Sequence, residues 1–259
     1  MITDVIAETQ NQAHVQPPSE KVVHHQVVIV GGGSAGITVA AKLTKGWLSD
    51  YDVAIIDPSE NHYYQPAWTL VGGGTFRKES TRRTEASVIP PKAKWIKDAV
   101  VSFEPERNRL KTRDGQTIEY DFLVVSAGIG IKWDAITGLK DALGKEGVCS
   151  NYSFESVGST WENIRDFKGG TAIFTQPETG IKCGGAPQKI CYLADDYFRK
   201  SGVRDKTQII FASGSSTIFA VEKYRKTLEK VIERKNIETR FNQKLVAISA
   251  ETKEAIFQH

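Results

Sequence analysis

Short runs of β-branched, wholly apolar residues alternate along this chain with longer segments whose apolar positions recur at helical spacing, and that alternation predicts an α/β architecture. Residues 1–24 are polar, include Pro17-Pro18, and predict a disordered lead-in. Val27-Val28-Ile29-Val30 is apolar at every position, the pattern of a strand buried on both faces of a parallel sheet. Residues 37–43 predict a helix and residues 53–56 a second buried strand. Residues 95–103 predict a further strand. Residues 109–112 and 116–120 flank Arg113-Asp114-Gly115, whose Asp-Gly step signals a hairpin. Residues 122–125 predict another buried strand, which runs into Ser126-Ala127-Gly128.

The second half repeats the layout. Residues 171–175 predict a strand, 186–200 a helix with Pro187 in its first turn, and 208–211 a strand. Within residues 218–236, Val221, Tyr224, Leu228, Val231 and Ile232 fall on one face of a predicted amphipathic helix. Residues 241–257 predict paired strands. The expected fold is two Rossmann-like units, residues 25–150 with an antiparallel excursion and residues 151–259.

Composition narrows the class. With 40% hydrophobic and 25% charged residues the chain is globular in type. Lys plus Arg number 34 against 31 Asp plus Glu, a net charge of +3, which argues against a nucleic-acid partner. No apolar run approaches the roughly 20 residues of a membrane span. The first 24 residues carry Asp4, Glu8 and Glu20 with no Arg, unlike a mitochondrial presequence. The three cysteines, Cys149, Cys183 and Cys191, form no CxxC, and an odd count fits a reducing compartment.

The chemistry begins at Gly31-Gly32-Gly33-Ser34-Ala35-Gly36, a GxGxxG between a strand and a helix. Gly31 permits the tight turn, Gly33 lets a pyrophosphate approach the backbone, and Gly36 lets helix and strand pack closely. The N–H groups of Ser34, Ala35 and Gly36 then face the phosphates at a helix N-terminus. Asp57 ends the second strand about 20 residues on, where a carboxylate accepts ribose hydroxyls. Strand, turn, helix, strand and acid in this order predict dinucleotide binding. The second unit lacks both parts: residues 176–181 contain no GxGxxG, and the strand at 208–211 ends in Ala212-Ser213. A nicotinamide coenzyme is therefore not expected there. Cys183 stands in that turn instead, beside Lys182 and just ahead of a helix N-terminus, a setting that favours thiolate over thiol. A structural turn cysteine is the bland alternative. Cys191 lies among Ile190, Tyr192 and Leu193 and is expected to be a buried, inert thiol. Cys149 is expected to be structural.

The antiparallel excursion followed by a strand ending in small residues resembles the FAD domain of flavoproteins with two dinucleotide-binding domains. That resemblance implies FAD as the cofactor, with Gly128 on a turn close to it and the backbone near Val100 against the adenine. Between these pieces lies His62-Tyr63-Tyr64-Gln65-Pro66-Ala67-Trp68-Thr69-Leu70-Val71-Gly72-Gly73-Gly74, which reads either as a packed loop or as a wall of the flavin site containing Gln65. The run 64–72, together with Ala86-Ser87-Val88-Ile89-Pro90, Asn151-Tyr152-Ser153 and Lys182-Cys183-Gly184-Gly185-Ala186-Pro187-Gln188-Lys189, resembles animal mitochondrial sulfide:quinone oxidoreductase. This resemblance implies oxidation of hydrogen sulfide through a cysteine pair, two electrons passing to FAD and on to ubiquinone, and sulfur leaving as a persulfide on a small acceptor such as glutathione or sulfite. It implies Cys183 as the cysteine nearer the flavin and a location at the mitochondrial inner membrane. In that family a flavin-contacting closing segment, the second redox cysteine and a membrane-docking tail follow the second domain. None is found by His259, so the expectation is a truncated form with weak FAD retention and little turnover. An NAD(P)H-dependent quinone reductase and a silent FAD-binding remnant remain as alternatives.

Overall fold

The computed structural model describes residues 22–46, 50–181 and 183–259. The predicted lead-in lies outside these residues up to position 21. The chain divides into two compact units, one formed by the described residues up to Ser59 with Ile89–Ala127, the other by Glu60–Val88 with Gly128–His259. The sequence pattern predicted a single change-over near residue 150. Residues 60–88 belong to the second unit because their aromatic and glycine-rich segment packs on helices found there.

The first unit is one six-stranded sheet. Strands β1 (Val22–Val30), β2 (Val53–Ile56), β5 (Lys94–Ile96) and β8 (Thr117–Val125) are parallel, and β6 (Val100–Glu104) and β7 (Arg109–Thr112) extend it antiparallel, in the order β5-β2-β1-β8-β7-β6. Alternation along β1 explains its two-sided burial. Val27 and Ile29 pack with Ala40 on helix α1 (Ser34–Leu43), whereas Val28 and Val30 pack with Leu110, Ile118 and Tyr120 of the antiparallel excursion. β1 starts at Val22, earlier than expected, because Val22–His25 pair in register with Thr117–Tyr120 of β8. The strand predicted over residues 95–103 is two strands, at opposite edges of the sheet. Buried Asp98 makes the break, accepting hydrogen bonds from the N–H groups of Ala99 (2.7 Å) and Asp114 (3.1 Å). Beyond its pairing with β7, β8 presents Phe122 and Val125 to solvent at 64% and 62% exposure.

The second unit carries a three-stranded parallel sheet in the order β11-β10-β9, from β9 (Gly170–Gln176), β10 (Thr207–Ser213) and β11 (Glu238–Arg240). Helices α5 (Ala186–Lys200) and α6 (Glu222–Lys235) connect them, giving a βαβαβ unit. Its core joins Ile190, Cys191, Ala194 and Phe198 of α5 to Ile209 and Phe211 of β10 and to Ile164 of α4 (Val157–Asp166). α6 starts four residues later than the pattern at 218 suggested, since Val221 is extended and Ile218 is buried ahead of the helix. The paired strands at the end are β12 (Lys244–Ser249) and β13 (Glu254–Gln258). Strands β3 (Asn61–Tyr63) and β4 (Arg82–Thr84) form a small hairpin, and between them α2 (Trp68–Gly72) packs on α4 and α5. A one-turn helix α3 (Leu139–Ala142) lies against β12. No described helix is long and apolar enough to cross a membrane.

One buried charge ties this unit together. Asp195 is fully buried and accepts hydrogen bonds from Arg204 (2.7 Å), Arg199 (3.0 Å) and Lys235 (2.7 Å), while Arg204 also donates to the carbonyls of Lys235 and Asn236 at the end of α6. Burial pushes the Asp195 carboxyl up, but the three cationic donors outweigh it and hold the group below the usual carboxylate value. A depressed folded-state pKa stabilises fully above the unfolded value and is lost as pH falls through the folded one. Asp195→Ala leaves Arg204 buried and uncompensated, and is expected to cost about 3–5 kcal/mol in urea denaturation at neutral pH. The same comparison below the ordinary carboxylate range is expected to show a smaller difference.

Candidate functional site

The glycine turn between β1 and α1 is held from both sides. Gly31 N–H donates to the Ile56 carbonyl (2.9 Å) and Gly32 N–H to Asp57 Oδ2 (2.6 Å), both on the β2 side. On the β8 side, Ser126 donates its N–H to the Val30 carbonyl (2.8 Å) and its hydroxyl to the carbonyls of Val30 (3.1 Å) and Gly31 (3.2 Å). Gly31 has φ +103°, and a Cβ there would lie 2.5 Å from the Ser126 carbonyl oxygen. A Cβ on Gly36 would lie 1.9 Å from the Gly31 carbonyl oxygen. A Cβ on Gly33 would meet nothing within 4 Å. Two of the three motif glycines therefore make the turn, and the third keeps a space open. Gly33, Ser34 and Ala35 are exposed, and the first N–H groups of ten-residue α1 have no partner within the helix. An anionic diphosphate fits this cradle.

Asp57 is half-buried at the carboxyl end of β2. Its oxygens accept from Gly32 and from Ser59 N–H (2.8 Å), and its own carbonyl accepts from Trp95 Nε1 (2.9 Å). A carboxylate offers about four lone-pair directions, so room remains for ribose hydroxyls. Val100 packs half-buried against the cluster containing Val28, Val30 and Ile56, on the face opposite α1. Gly31, Gly33, Ser34, Ala35, Gly36, Asp57 and Val100 are thus brought together in the first unit. Gly128 (φ +76°, exposed) and Gln65 (half-buried, in the 3₁₀ turn Gln65–Ala67) belong to the second.

The aromatic segment around Gln65 is mostly packed layer. Trp68 and Val71 are buried with Val157, and Trp68 Nε1 donates to Thr81 Oγ1 (3.1 Å). A Cβ on Gly72 would lie 2.4 Å from Asn151 Oδ1, and one on Gly74 would lie 2.6 Å from the Trp161 ring. The glycines let α2 sit directly on α4 and the Asn151 loop. Tyr64, at 58% exposure, Pro66 and Gly74 are exposed, and Gln65 is half-buried.

Cys183 is exposed on the connection from β9 to α5, and its carbonyl accepts from Ala186 N–H (3.1 Å) at the start of that helix. Lys182 lies outside the described residues. Lys189 is exposed on α5. The Tyr152 hydroxyl is buried with no hydrogen-bond partner; burial first, and then negative charge at Cys183, raise its pKa above the usual tyrosine value. Sequence reasoning singled out neither Tyr152 nor Ser126 as a site residue. An aromatic in a loop and a serine after a strand carry no local signal of what they face. Cys191 is fully buried on α5, and burial pushes its thiol well up. Cys149 is half-buried. Among the described residues no group of three His, Cys, Asp or Glu could hold a metal ion.

A family profile described as pyridine nucleotide-disulphide oxidoreductase matches residues 25–158, the segment that contains the pinned glycine turn and Asp57. The chain belongs to that family. It is 48% identical over 234 residues to the mitochondrial sulfide:quinone oxidoreductase of Dictyostelium discoideum, covering 90% of this chain and 52% of the relative. The mitochondrial sulfide:quinone oxidoreductase of Mus musculus is 40% identical over 235 residues, covering 91% and 52%. The chain spans about half the length of the curated relatives it matches. The X-ray structure of the sulfide:quinone oxidoreductase from the hyperthermophilic bacterium Aquifex aeolicus superposes with a TM-score of 0.72 at 20% identity, covering 91% of this chain and 56% of that one; at this identity the likeness is one of fold. The resemblance carried by residues 64–72 and 182–189 is the one that these relatives bear out. Both curated relatives are named mitochondrial, which supports a mitochondrial location.

The three glycines separate folding from binding in this family member. Gly36→Ala is expected to destabilise the first unit by about 1–3 kcal/mol through overpacking. Gly33→Leu is expected to leave the denaturation midpoint nearly unchanged and to lower FAD affinity about tenfold or more by filling the cradle. Urea titration and quenching of flavin fluorescence read the two effects separately.

Proposed function

We propose that this chain carries the FAD-binding and sulfur-accepting parts of a sulfide:quinone oxidoreductase, with ubiquinone as the electron acceptor and the mitochondrial inner membrane as its site of action. What supports the reading most is Cys183. An exposed thiol occupies the turn at the carboxyl end of the first strand of a βαβαβ unit, where such units ordinarily hold a coenzyme.

In the first unit the N–H groups of Ser34, Ala35 and Gly36 would hold the FAD pyrophosphate, Asp57 would accept the adenosine ribose hydroxyls, and backbone near Val100 would meet the adenine. Bound FAD supplies a two-electron acceptor. Cys183 Sγ would form a bond to the sulfur of sulfide, giving a cysteine persulfide with release of two electrons and two protons, for which bound FAD would be the two-electron acceptor. The Tyr152 hydroxyl, buried without a partner and within electrostatic influence of Cys183, offers a hydrogen-bond donor for negative charge in that region. Transfer of the outer sulfur to a small acceptor regenerates the thiol.

Anaerobic addition of sulfide to the FAD-loaded chain is expected to bleach the flavin absorbance. Cys183→Ser is expected to abolish that bleaching, and Cys191→Ser to leave it intact. Bleaching by NADH but not by sulfide, or bleaching undiminished in Cys183→Ser, contradicts the proposal.

A further inference from the structure

The acid at the end of β2 is held by a donor that the sheet backbone does not supply. β5 is a three-residue strand at the edge of the first sheet, paired in parallel with β2 through Ile55↔Trp95 and Ile56↔Ile96. In a parallel ladder a residue donates to the residue before its partner and accepts from the residue after it. Continued one step, this register sets Asp57 against Lys97. Asp57 N–H makes the first bond, to the Ile96 carbonyl (3.1 Å). The second should come from the N–H of Asp98, but that N–H is turned back onto the Ile96 carbonyl (2.9 Å). The chain leaves the sheet there, where the Asp98 carboxylate takes the N–H groups of Ala99 and Asp114. The Trp95 indole fills the missing rung, its Nε1 donating to the Asp57 carbonyl at 2.9 Å. Trp95 is half-buried, and Lys97 Nζ lies over its ring, 5.8 Å from the centroid.

We infer that Trp95 is a positioning residue of the dinucleotide site: it holds the Asp57 main chain where β5 leaves off, and so fixes the direction in which the carboxylate meets ribose hydroxyls. The inference rests on the reading of Asp57 as the ribose acceptor. Gly32 and Ser59 N–H groups hold the two carboxylate oxygens at 2.6 and 2.8 Å, and β5 holds the main chain on both sides. Three of these four bonds use the partner's backbone; the fourth uses the Trp95 side chain. Without it the Asp57 carbonyl is freed and the residue can rock about the bonds that remain. A carboxylate that rocks has to be ordered when the ribose arrives, and that ordering is subtracted from affinity. The loss therefore falls on ligands that carry the ribose hydroxyls and spares those that lack them.

Quenching of flavin fluorescence by the full chain tests this, with FAD and an FAD analogue lacking both adenosine ribose hydroxyls as the two ligands. The unsubstituted chain is expected to bind FAD the more tightly. Trp95→Phe keeps an aromatic ring and removes the donor. It is expected to weaken FAD about fivefold, the worth of one hydrogen bond, and to change the analogue by less than about twofold. In an Asp57→Ala background the same substitution is expected to leave FAD affinity unchanged, because the carboxylate it acts through is gone. Should Trp95→Phe unfold the first unit in urea titration, the benzothiophene analogue of tryptophan at position 95, which keeps the shape and puts sulfur in place of the N–H, carries the comparison. An equal loss for both ligands marks a merely structural residue and overturns the inference, as does no loss for either. An unsubstituted chain that binds both ligands alike overturns the ribose role of Asp57 itself, and the inference falls with it.

Discussion

The contact between Gly36 of α1 and the carbonyl of Gly31 governs the first unit. Only an α-carbon that bears no Cβ lets the helix come so near the turn, and that nearness sets the helix N-terminus at the carboxyl ends of β1 and β2. The rest of the site follows from it. Asp57 can bond Gly32 because the turn is folded back against β2, and Ser126 can bond two carbonyls because β8 ends at the same level. A loose turn would expose the same N–H groups without fixing them, and a phosphate would have to order them on binding.

The second unit uses the same strand-helix-strand frame for a different purpose. Its first connection, from Gln176 to Ala186, is longer and has no glycine folded against the helix, so no pyrophosphate cradle forms. The connection instead carries an exposed thiol at the entrance of α5, with the Phe219 ring packed close to the following Gly184. Rigidity comes from elsewhere, through Asp195 and its three cations, which link α5, the start of β10 and the end of α6. Such a buried network costs desolvation that its attractions must offset, and it fixes how these elements meet.

Much of this was legible in the residues because the signals are local. Apolar β-branched runs, the GxGxxG spacing, the acid after β2 and the Asp-Gly turn each act within a few positions, and β1, β2, β7, α1 and α5 formed where those signals lie. What escaped depends on distant partners. The early start of β1 at Val22 is set by pairing with residues near 117, and the break at Asp98 by a hydrogen bond to Asp114. Residues 60–88 join the second unit because Gly72 and Gly74 admit Asn151 and Trp161, a fit invisible in either segment alone. Ser126 and Tyr152 are ordinary residues by type and acquire meaning only from what they face.

The chemistry proposed for Cys183 is the capture of sulfide sulfur with its electrons delivered to FAD. It is tested most directly by titrating the FAD-loaded chain with isotopically labelled sulfide without oxygen, then mapping the label by peptide mass spectrometry against the fraction of flavin reduced. One labelled sulfur is expected on Cys183 for each flavin reduced, and none on Cys149 or Cys191. Flavin reduction with no label on Cys183, or label spread over the three cysteines without regard to flavin reduction, would contradict it.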